Sequence, residues 1–413
     1  MDCILFKNCT LIDFKKRALL KGYSILIKNN LIDAVSAEAP KVDNAQVIDL
    51  KGKMILPGFI DAHVHVTAAE LDLANEHIPT SEVSLQAARF MEDMLMRGFT
   101  TIRDAGGADM GLANAIEKGI IKGPRLFYCG KAISQTGGHG DFRKPNIGDL
   151  CSCSTSASNI SVVVDGINEV RKAVRNELRK GATHVKIMAS GGVASPTDRV
   201  TNKQFSIEEI KAIVEEATDA GVYVMAHAYT HESILRCVEN GVRTIEHGNR
   251  LNEQTAEMMA KRGAYLVPTL VVYESLADLG PKNNYPPESI AKIEQVRSAG
   301  IEAIKIARSK GVKIGFGTDL LGVEGQRWQA KEFVIRSAAE EPIDTIYSAT
   351  AVNAEILNQV GKLGVIAPGA YADLIIVDGD PLQDISILSG QGESLDLIMK
   401  NGVIYKNHLT KTV

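Results

Sequence analysis

Several apolar runs in the middle of this chain end in side chains that can bind a metal ion. His63 and His65 end the first of these runs and are two residues apart, so both lie on one face of a β-strand. Two imidazoles at that separation can chelate one metal ion. Later runs end at His227, His247 and Asp319. Because such side chains follow successive runs, we predict a metal site assembled from strand ends.

Lys186 lies inside another apolar run, where a strand interior normally carries no charge. A buried, unpaired ammonium costs several kcal/mol, so this lysine must be paired or modified if it points inward. Carbon dioxide can add to a neutral lysine amine and give a carbamate, whose oxygens can bridge two cations. An outward or salt-bridged lysine is the alternative. His184, on the same face, is predicted to be a hydrogen-bonded core residue and not a ligand.

The run that ends at Asp319 also contains Gly315 and Gly317, which share the face of the carboxylate. Glycines at such positions are unusual in a packed strand interior. We expect the two missing side chains to leave open space near the metal site.

The middle of the chain alternates between strand-like and helical patterns. A capping box formed by Ser206 and Glu209 opens one predicted helix, which ends at Gly221. The strand-like runs cover residues 59–66, 99–103, 125–129, 184–189, 222–226, 243–246, 265–270 and 313–316. Eight strands alternating with helices favour a (β/α)8 barrel of the α/β class over residues 58–360, with catalytic groups after the strands. A doubly wound open sheet is the alternative.

Both ends of the chain contain short strand-like runs separated by turns. Residues 1–57 carry three such runs, with a polar turn at Lys28-Asn29-Asn30. Residues 361–413 carry further runs, the last folded as a hairpin on Asn401-Gly402. We predict that the two ends form one small β-sandwich domain.

The metal-binding side chains occur in a fixed order along the predicted barrel strands. They are His63-Val64-His65, Lys186, His227, His247 and Asp319, on strands one, four, five, six and eight. The flanking motifs are Leu56-Pro57-Gly58-Phe59-Ile60-Asp61 and Pro368-Gly369-Ala370-Tyr371-Ala372-Asp373-Leu374. This pattern resembles the binuclear amidohydrolase superfamily over essentially the whole chain.

The resemblance implies a hydrolase with two divalent metal ions, expected to be zinc. His63, His65 and Asp319 would hold one ion, and His227 and His247 the other. Lys186, carboxylated by carbon dioxide, would hold both ions. A hydroxide bridging the two metals would attack an amide carbonyl, and Asp319 would carry its proton to the leaving nitrogen.

A narrower resemblance rests on three motifs: Ser134-Gln135-Thr136-Gly137-Gly138-His139-Gly140-Asp141, Lys186-Ile187-Met188-Ala189-Ser190-Gly191-Gly192 and His227-Ala228-Tyr229-Thr230. They look like those of prolidase-type (Xaa-Pro) dipeptidases, of arginine- and lysine-specific carboxypeptidases and of ochratoxin amidohydrolases. The resemblance implies that His139 and Tyr229 contact the substrate and that His139 also acts in catalysis. Arg143 and Arg199 are candidates for binding a substrate carboxylate. Residues 131–162 are predicted to form a lid.

We therefore expect a metal-dependent amidohydrolase that cleaves the amide bond next to a free C-terminal carboxylate, with Xaa-Pro dipeptides as preferred substrates. One alternative is a carboxypeptidase of the ochratoxin-hydrolase type, acting on N-acyl amino acids. Another is a cyclic-amide hydrolase of the imidazolonepropionase type. A non-catalytic scaffold of the dihydropyrimidinase-like type usually lacks some ligands, whereas this chain has all six.

The composition of the chain excludes several other classes of protein. The 413 residues are 45% apolar and 23% charged, which excludes disordered, fibrous and coiled-coil proteins. A net charge of −4 leaves no basic excess for nucleic acid. The chain has no apolar run of about 18 residues and no signal-peptide pattern, and its six cysteines do not form a disulfide framework. We expect a cytoplasmic protein that binds a small-molecule substrate and no membrane, with Cys151 and Cys153 reduced and a homo-oligomer left open.

Overall fold

A computed structural model describes residues 3–71, 73, 78–143, 160–195, 197–283, 285 and 287–409. Cys151, Cys153 and residues 144–159 of the predicted lid lie outside the described residues. In the described part of the chain, no helix is long and apolar enough to cross a membrane.

Strands from both ends of the chain form one sheet. The N-terminal strands are β1 Cys3–Asp13, β2 Ala18–Lys28, β3 Leu31–Ser36, β4 Gln46–Asp49 and β5 Met54–Pro57, and the C-terminal strands are β16 Leu374–Val377, β17 Leu395–Lys400 and β18 Val403–Asn407. Their order is β18-β17-β16-β5-β1-β2-β3, with β4 paired to β1. The predicted hairpin at Asn401-Gly402 joins β17 to β18. Since β5 pairs with β16, the two ends join inside this sheet, while domain boundaries at residues 57 and 360 stay a prediction.

Parallel strands fill the middle of the chain. They are β6 Phe59–Val64, β7 Phe99–Asp104, β8 Arg125–Tyr128, β9 Ala132–Ser134, β10 Ser161–Val163, β11 Val185–Met188, β12 Val224–Thr230, β13 Thr244–Arg250, β14 Tyr265–Val267 and β15 Lys313–Ile314. Each of the eight predicted runs contains a strand. The short strands β9 and β10 were not predicted, because three-residue strands carry too few residues for a periodic pattern.

Hydrogen bonds close these strands into a barrel. The Ala62 amide donates to the Phe316 carbonyl at 2.8 Å, and the Asp319 amide donates to the His63 carbonyl at 2.7 Å, which joins the segment after β15 to β6. The Thr183 amide donates to the Tyr128 carbonyl at 2.8 Å and links β8 to the segment before β11. These closing bonds exclude the open-sheet alternative.

Helices cover the outside of the barrel. They are α1 Thr80–Met96, α2 Met110–Glu117, α3 Gly166–Arg179, α4 Ile207–Asp219, α5 His231–Glu239, α6 Glu253–Arg262, α7 Leu270–Leu279, α8 Pro287–Arg297, α9 Gly300–Ser309, α10 Gly322–Gln326, α11 Lys331–Arg336, α12 Pro342–Tyr347 and α13 Asn353–Ile356. The predicted capping box is present at the start of α4, where Ser206 and Glu209 each accept the other's backbone amide. Gly221 follows α4 with a φ of +73°, as expected for a C-terminal glycine.

An aromatic cluster packs beneath the barrel, at the end opposite the predicted ligands. Phe59 and Phe99 begin β6 and β7, and their rings lie 5.7 Å apart. The ring of Phe333 from α11 lies 4.6 Å from that of Phe316 and 4.8 Å from that of Phe59. All four side chains are fully buried, so they form a rigid support from which the strands run toward the site.

Candidate active site

Three of the predicted metal ligands form one compact group. The Asp319 carboxylate lies 3.3 Å from Nε2 of His63 and 3.2 Å from Nε2 of His65. One ligand atom from each of these residues lies within 4.8 Å of the other two. His63 and His65 belong to the β6 strand end and Asp319 follows β15, so barrel closure brings together residues far apart in sequence.

Lys186 lies on β11 with its amine directed at this group. Its Nζ is 3.5 Å from Nε2 of His63, and the side chain is buried. Burial lowers the pKa of the Lys186 amine, which favours the neutral form that reacts with carbon dioxide. Within the described part of the chain, no carboxylate lies within 4.0 Å of Nζ, so the outward and salt-bridged alternatives do not match this geometry.

His227 and His247 lie beside the compact group. The ring centroids of His227 and His247 are 4.7 Å apart, and that of His247 is 5.1 Å from His63. His227 uses Nε2 to donate to the Gly191 carbonyl at 3.1 Å. His247 uses Nδ1 to reach the Thr269 hydroxyl at 2.7 Å. Each imidazole therefore has one ring nitrogen outside these hydrogen bonds.

The donor set fits divalent metal ions. His63 donates from Nδ1 to Glu246 at 2.7 Å, and His65 donates from Nδ1 to the Gly106 carbonyl at 2.9 Å. A hydrogen bond at one ring nitrogen fixes the tautomer and turns the lone pair of the other nitrogen toward a metal. The available donors are imidazole nitrogens and a carboxylate, which zinc and similar ions accept.

The carboxylate of Asp319 is held in its ionised form. Burial alone would raise the pKa of Asp319, but the adjacent His63 and His65 side chains hold it well below its usual range. The backbone of Asp319 has a φ of +55° and that of His247 a φ of +73°. Non-glycine residues in this left-handed region cost about 1–3 kcal/mol each and concentrate at functional sites. The fold thus tolerates backbone strain at these two positions, and this backbone conformation sets the direction of both side chains.

Sequence reasoning missed the pair of residues that supports His63. Arg103, from β7, donates to both carboxylate oxygens of Glu246 at 3.0 and 3.1 Å, and both side chains are fully buried. Burial raises the pKa of Glu246, but the Arg103 charge and the His63 hydrogen bond outweigh it and hold the pKa far below normal. The available signal was a charged residue at the end of each of two predicted strands. Arg103 ends the run 99–103, and Glu246 ends the run 243–246, next to the predicted ligand His247.

We expect Arg103→Met to destabilise the protein by about 3–5 kcal/mol, because it leaves the Glu246 carboxylate buried without its partner. The uncompensated carboxylate should also bind a proton and weaken metal binding at His63. Chemical denaturation and metal analysis would measure both effects. Arg171→Met, which removes partly exposed ion pairs with Glu215 and Glu216 on the protein surface, is the matched control and should change neither quantity appreciably. Equal stability of the two variants would contradict the supporting role of Arg103.

The expectation that Gly315 and Gly317 leave open space was wrong. A Cβ atom at Gly317 would lie 2.5 Å from a methyl of Val267 and 2.8 Å from Cβ of His63. A Cβ at Gly315 would lie 2.6 Å from the side-chain oxygen of Asn353. The glycines therefore allow close packing of the segment before Asp319 against its neighbours, and the space is already filled.

His184 fulfils its predicted role in the core. Its Nε2 donates to the Asp104 carbonyl at 3.1 Å, and its ring stacks on Tyr223 at 5.7 Å. Among the described residues, it is not part of the compact ligand group.

The predicted substrate residues line a cavity above the ligands. His139 stacks on His227 with ring centroids 4.2 Å apart, and the Tyr229 hydroxyl accepts from Tyr273 at 3.1 Å. The cavity is also lined by all six predicted metal ligands. Its apolar lining consists of Leu73, Phe142, Ile160, Met188, Val193, Ala194, Val272, Leu276 and Leu321. Such a lining can exclude water and accept an apolar side chain.

The two arginine candidates lie elsewhere. Arg143 forms an ion pair with Asp141 at 2.7 Å, and Arg199 is exposed. Neither side chain lines the cavity in the described part of the chain. The predicted role of these arginines as carboxylate ligands therefore gains no support from the structure.

The chain is similar to several known proteins over nearly its whole length. A prolidase crystallised with N-methylphosphonate-L-proline is 47% identical, with a TM-score of 0.96 and coverage of 98% of this chain and 100% of that chain. A Xaa-Pro dipeptidase with bound methionine is 32% identical, with a TM-score of 0.87 and coverage of 98% and 100%. Ochratoxinase from Aspergillus niger is 31% identical over 407 residues, covering 94% of this chain and 83% of that protein.

The likeness to these solved structures confirms the predicted (β/α)8 barrel with its β-sandwich. The sequence profile of the amidohydrolase family matches residues 54–404, which is most of the chain. The protein is therefore a hydrolase of carbon–nitrogen bonds, and it belongs to the amidohydrolase family.

Proposed function

We propose that this protein hydrolyses the amide bond next to a free C-terminal carboxylate, with Xaa-Pro dipeptides as its substrates. The observation that carries the proposal is the apolar cavity directly above the ligand group, lined by His139 and Tyr229. The similarity to a prolidase crystallised with an analogue containing L-proline supports it.

Six residues would hold the metal ions. His63, His65 and Asp319 would hold one divalent ion, and His227 and His247 the other. Lys186, as its carbamate, would contact both. Bound divalent ions, expected to be zinc, lower the pKa of water and polarise a carbonyl group.

Asp319 is suited to move the proton in this reaction. Its carboxylate oxygens have lone pairs that can accept a proton from the attacking water. It can then donate that proton to the amide nitrogen as the bond breaks. The backbone amide of Asp319 donates to the His63 carbonyl at 2.7 Å, which holds the carboxylate beside the ligand group.

His139 and Tyr229 would bind the substrate. Both side chains are buried and lie against His227, at 4.2 and 4.7 Å between ring centroids. A substrate in the cavity therefore has polar contacts from these two residues and apolar contacts from the surrounding wall. Water exclusion by that wall strengthens the polar contacts.

Hydrolysis of N-acyl amino acids is a second candidate function. The ochratoxinase similarity over 94% of this chain favours it. The cavity wall also suits it, because an apolar acyl group and an apolar side chain would be received in the same way. A cytoplasmic location and a homo-oligomer stay predictions from the sequence.

The deciding experiment compares Leu-Pro with its C-terminal amide. We expect kcat/KM to fall by about 100-fold for the amide, because a charged hydrogen-bond partner is lost in a dry site. Released amino acids measure the rate. N-acetyl-phenylalanine and Leu-Arg are parallel substrates that separate the second candidate and a basic-residue carboxypeptidase.

Equal rates for Leu-Pro and its amide would refute carboxylate recognition and favour a cyclic-amide hydrolase. Faster cleavage of Leu-Arg would preserve the mechanism and overturn the proline assignment. Turnover of N-acetyl-phenylalanine alone would replace the dipeptidase with the second candidate.

A further inference from the structure

His139 is held in place by its neighbours on both faces of the ring and through its backbone. Its ring lies between the His227 ring and Gly192, where an added Cβ would sit 2.1 Å from Cε1 and 2.5 Å from Nε2. Its backbone amide donates to the side-chain oxygen of Gln204 at 2.9 Å. The orientation of the imidazole is therefore fixed by packing on both faces and by the chain itself.

A buried relay continues from the imidazole. Nδ1 of His139 lies 2.8 Å from the Ser195 hydroxyl oxygen, and that hydroxyl donates to the Asp198 carboxylate. The second oxygen of Asp198 accepts from Gln204 at 2.8 Å. Ser195 is completely buried and Asp198 is 5% exposed. Polar groups at this depth persist only when their hydrogen bonds are satisfied, which makes the direction of each bond definite.

The direction of the relay determines the tautomer of His139. A serine hydroxyl has one proton, and here that proton is donated to Asp198. The serine oxygen can then only accept from His139, so the imidazole proton lies on Nδ1. Nε2 is left with a lone pair, and it has no hydrogen-bond partner among the described residues. Since His139 lines the cavity, this nitrogen is the one available to a ligand.

Helix α8 adds a positive charge beside the relay. Nζ of Lys292 donates to the carbonyls of Ser195 and Gly192 at 2.9 and 3.2 Å. It also lies 3.6 Å from the Asp198 carboxylate. This single side chain fixes the loop that carries Ser195 and favours Asp198 as an acceptor. No described contact of Ser195 or Asp198 reaches the metal-ligand group directly, so both act through His139.

We propose that Ser195 and Asp198 are positioning residues that hold the His139 proton on Nδ1 and present Nε2 to the substrate as a hydrogen-bond acceptor. The identity of the substrate group rests on the proposed function. The scissile amide of an Xaa-Pro dipeptide has no N–H, so the α-ammonium group of the first residue is the donor that fits Nε2. A substrate without that group would lose the contact.

The tautomer is measured directly by NMR on protein labelled with ¹⁵N-histidine. His139→Gln identifies the signals of this residue. We expect the wild type to carry its proton on Nδ1, and Ser195→Ala and Asp198→Ala to shift the population toward protonation at Nε2. Ser84→Ala, an exposed serine on α1, is the matched control and should leave the spectrum unchanged. A wild-type proton on Nε2 would overturn the proposal, whatever the protein hydrolyses.

Kinetics test the consequence for substrate choice. Leu-Pro is compared with its analogue without the amino group, 4-methylpentanoyl-proline. We expect wild type to prefer Leu-Pro by about tenfold or more, and His139→Gln and Ser195→Ala each to abolish that preference. Ser195→Ala should cause no further loss in the His139→Gln background, and metal content should not change. Additive losses, or an unchanged preference in Ser195→Ala, would overturn the relay.

Failure of the proposed function has a different signature. If wild-type protein cleaves neither compound, the dipeptidase assignment fails, while the NMR measurement still decides the tautomer. If either variant is poorly folded by its thermal unfolding curve, the other variant supplies the test.

Discussion

Lys186→Ala is expected to lose both metal ions and several orders of magnitude in hydrolysis. The carbamate is the only predicted ligand that contacts both ions, so its removal takes a donor from each. The amine lies 3.5 Å from His63 and is buried without a carboxylate partner among the described residues, which agrees with modification. Metal content by elemental analysis and the rate of dipeptide hydrolysis measure the two losses. Short carboxylates in solution should restore part of both.

Lys400→Ala is the matched control for this variant. Lys400 is also a buried lysine on a strand, since it lies on β17 in the sheet formed by the chain ends. Its amine donates to the Gly123 carbonyl at 2.6 Å. We expect its replacement to lower stability without changing metal content. A Lys186→Ala protein with two metals and the wild-type rate, in the absence of added carboxylate, would disprove the carbamate.

Asp319→Asn is expected to lower turnover by more than proton transfer alone accounts for. Loss of a general acid–base group typically costs about 10²–10⁴-fold, and Asp319 is also a predicted metal ligand. The amide oxygen is a weaker ligand than the carboxylate and cannot accept the proton. The variant should therefore bind metal more weakly and remain slow when metal is supplied in excess. Turnover at saturating metal separates the two roles.

Asp373→Asn provides the comparison for Asp319. Asp373 is buried and ion-paired with Arg125 at 2.5 Å, so its replacement tests loss of a buried carboxylate away from the site. We expect it to affect stability and leave turnover per folded molecule unchanged. A loss below tenfold in Asp319→Asn at saturating metal would assign the proton transfer to another residue.

The barrel and its ligand positions were accessible from sequence because the signals are local. A short apolar run indicates each strand, and the ligand follows within a few residues, as in Val64-His65 and Ala226-His227. The parallel alternation of strands and helices then determines that all these ends meet. Lys186 was identifiable for the same reason, since a charge within a buried run requires an explanation.

The missed features depend on pairs of residues that no local pattern connects. Arg103 and Glu246 lie 143 positions apart, and only the closed barrel brings them into contact. The same is true of the packing that fills the space beside Gly317, where Val267 and His63 come from two other strands. The relay behind His139 was missed because Ser195 and Asp198 lie in an irregular segment without periodicity.

The pairing of β5 with β16 has a consequence for synthesis of the protein. Pro57 has Leu374 as its partner, so the strand next to the first barrel strand stays unpaired on that side while more than 300 residues are added. At about 5–20 residues per second this interval lasts roughly 15–60 s. During it, the barrel can assemble while a row of backbone donors and acceptors remains exposed to other chains. Synthesis of β16 therefore protects β5, and aggregation of nascent chains should depend on the speed of translation between these two strands.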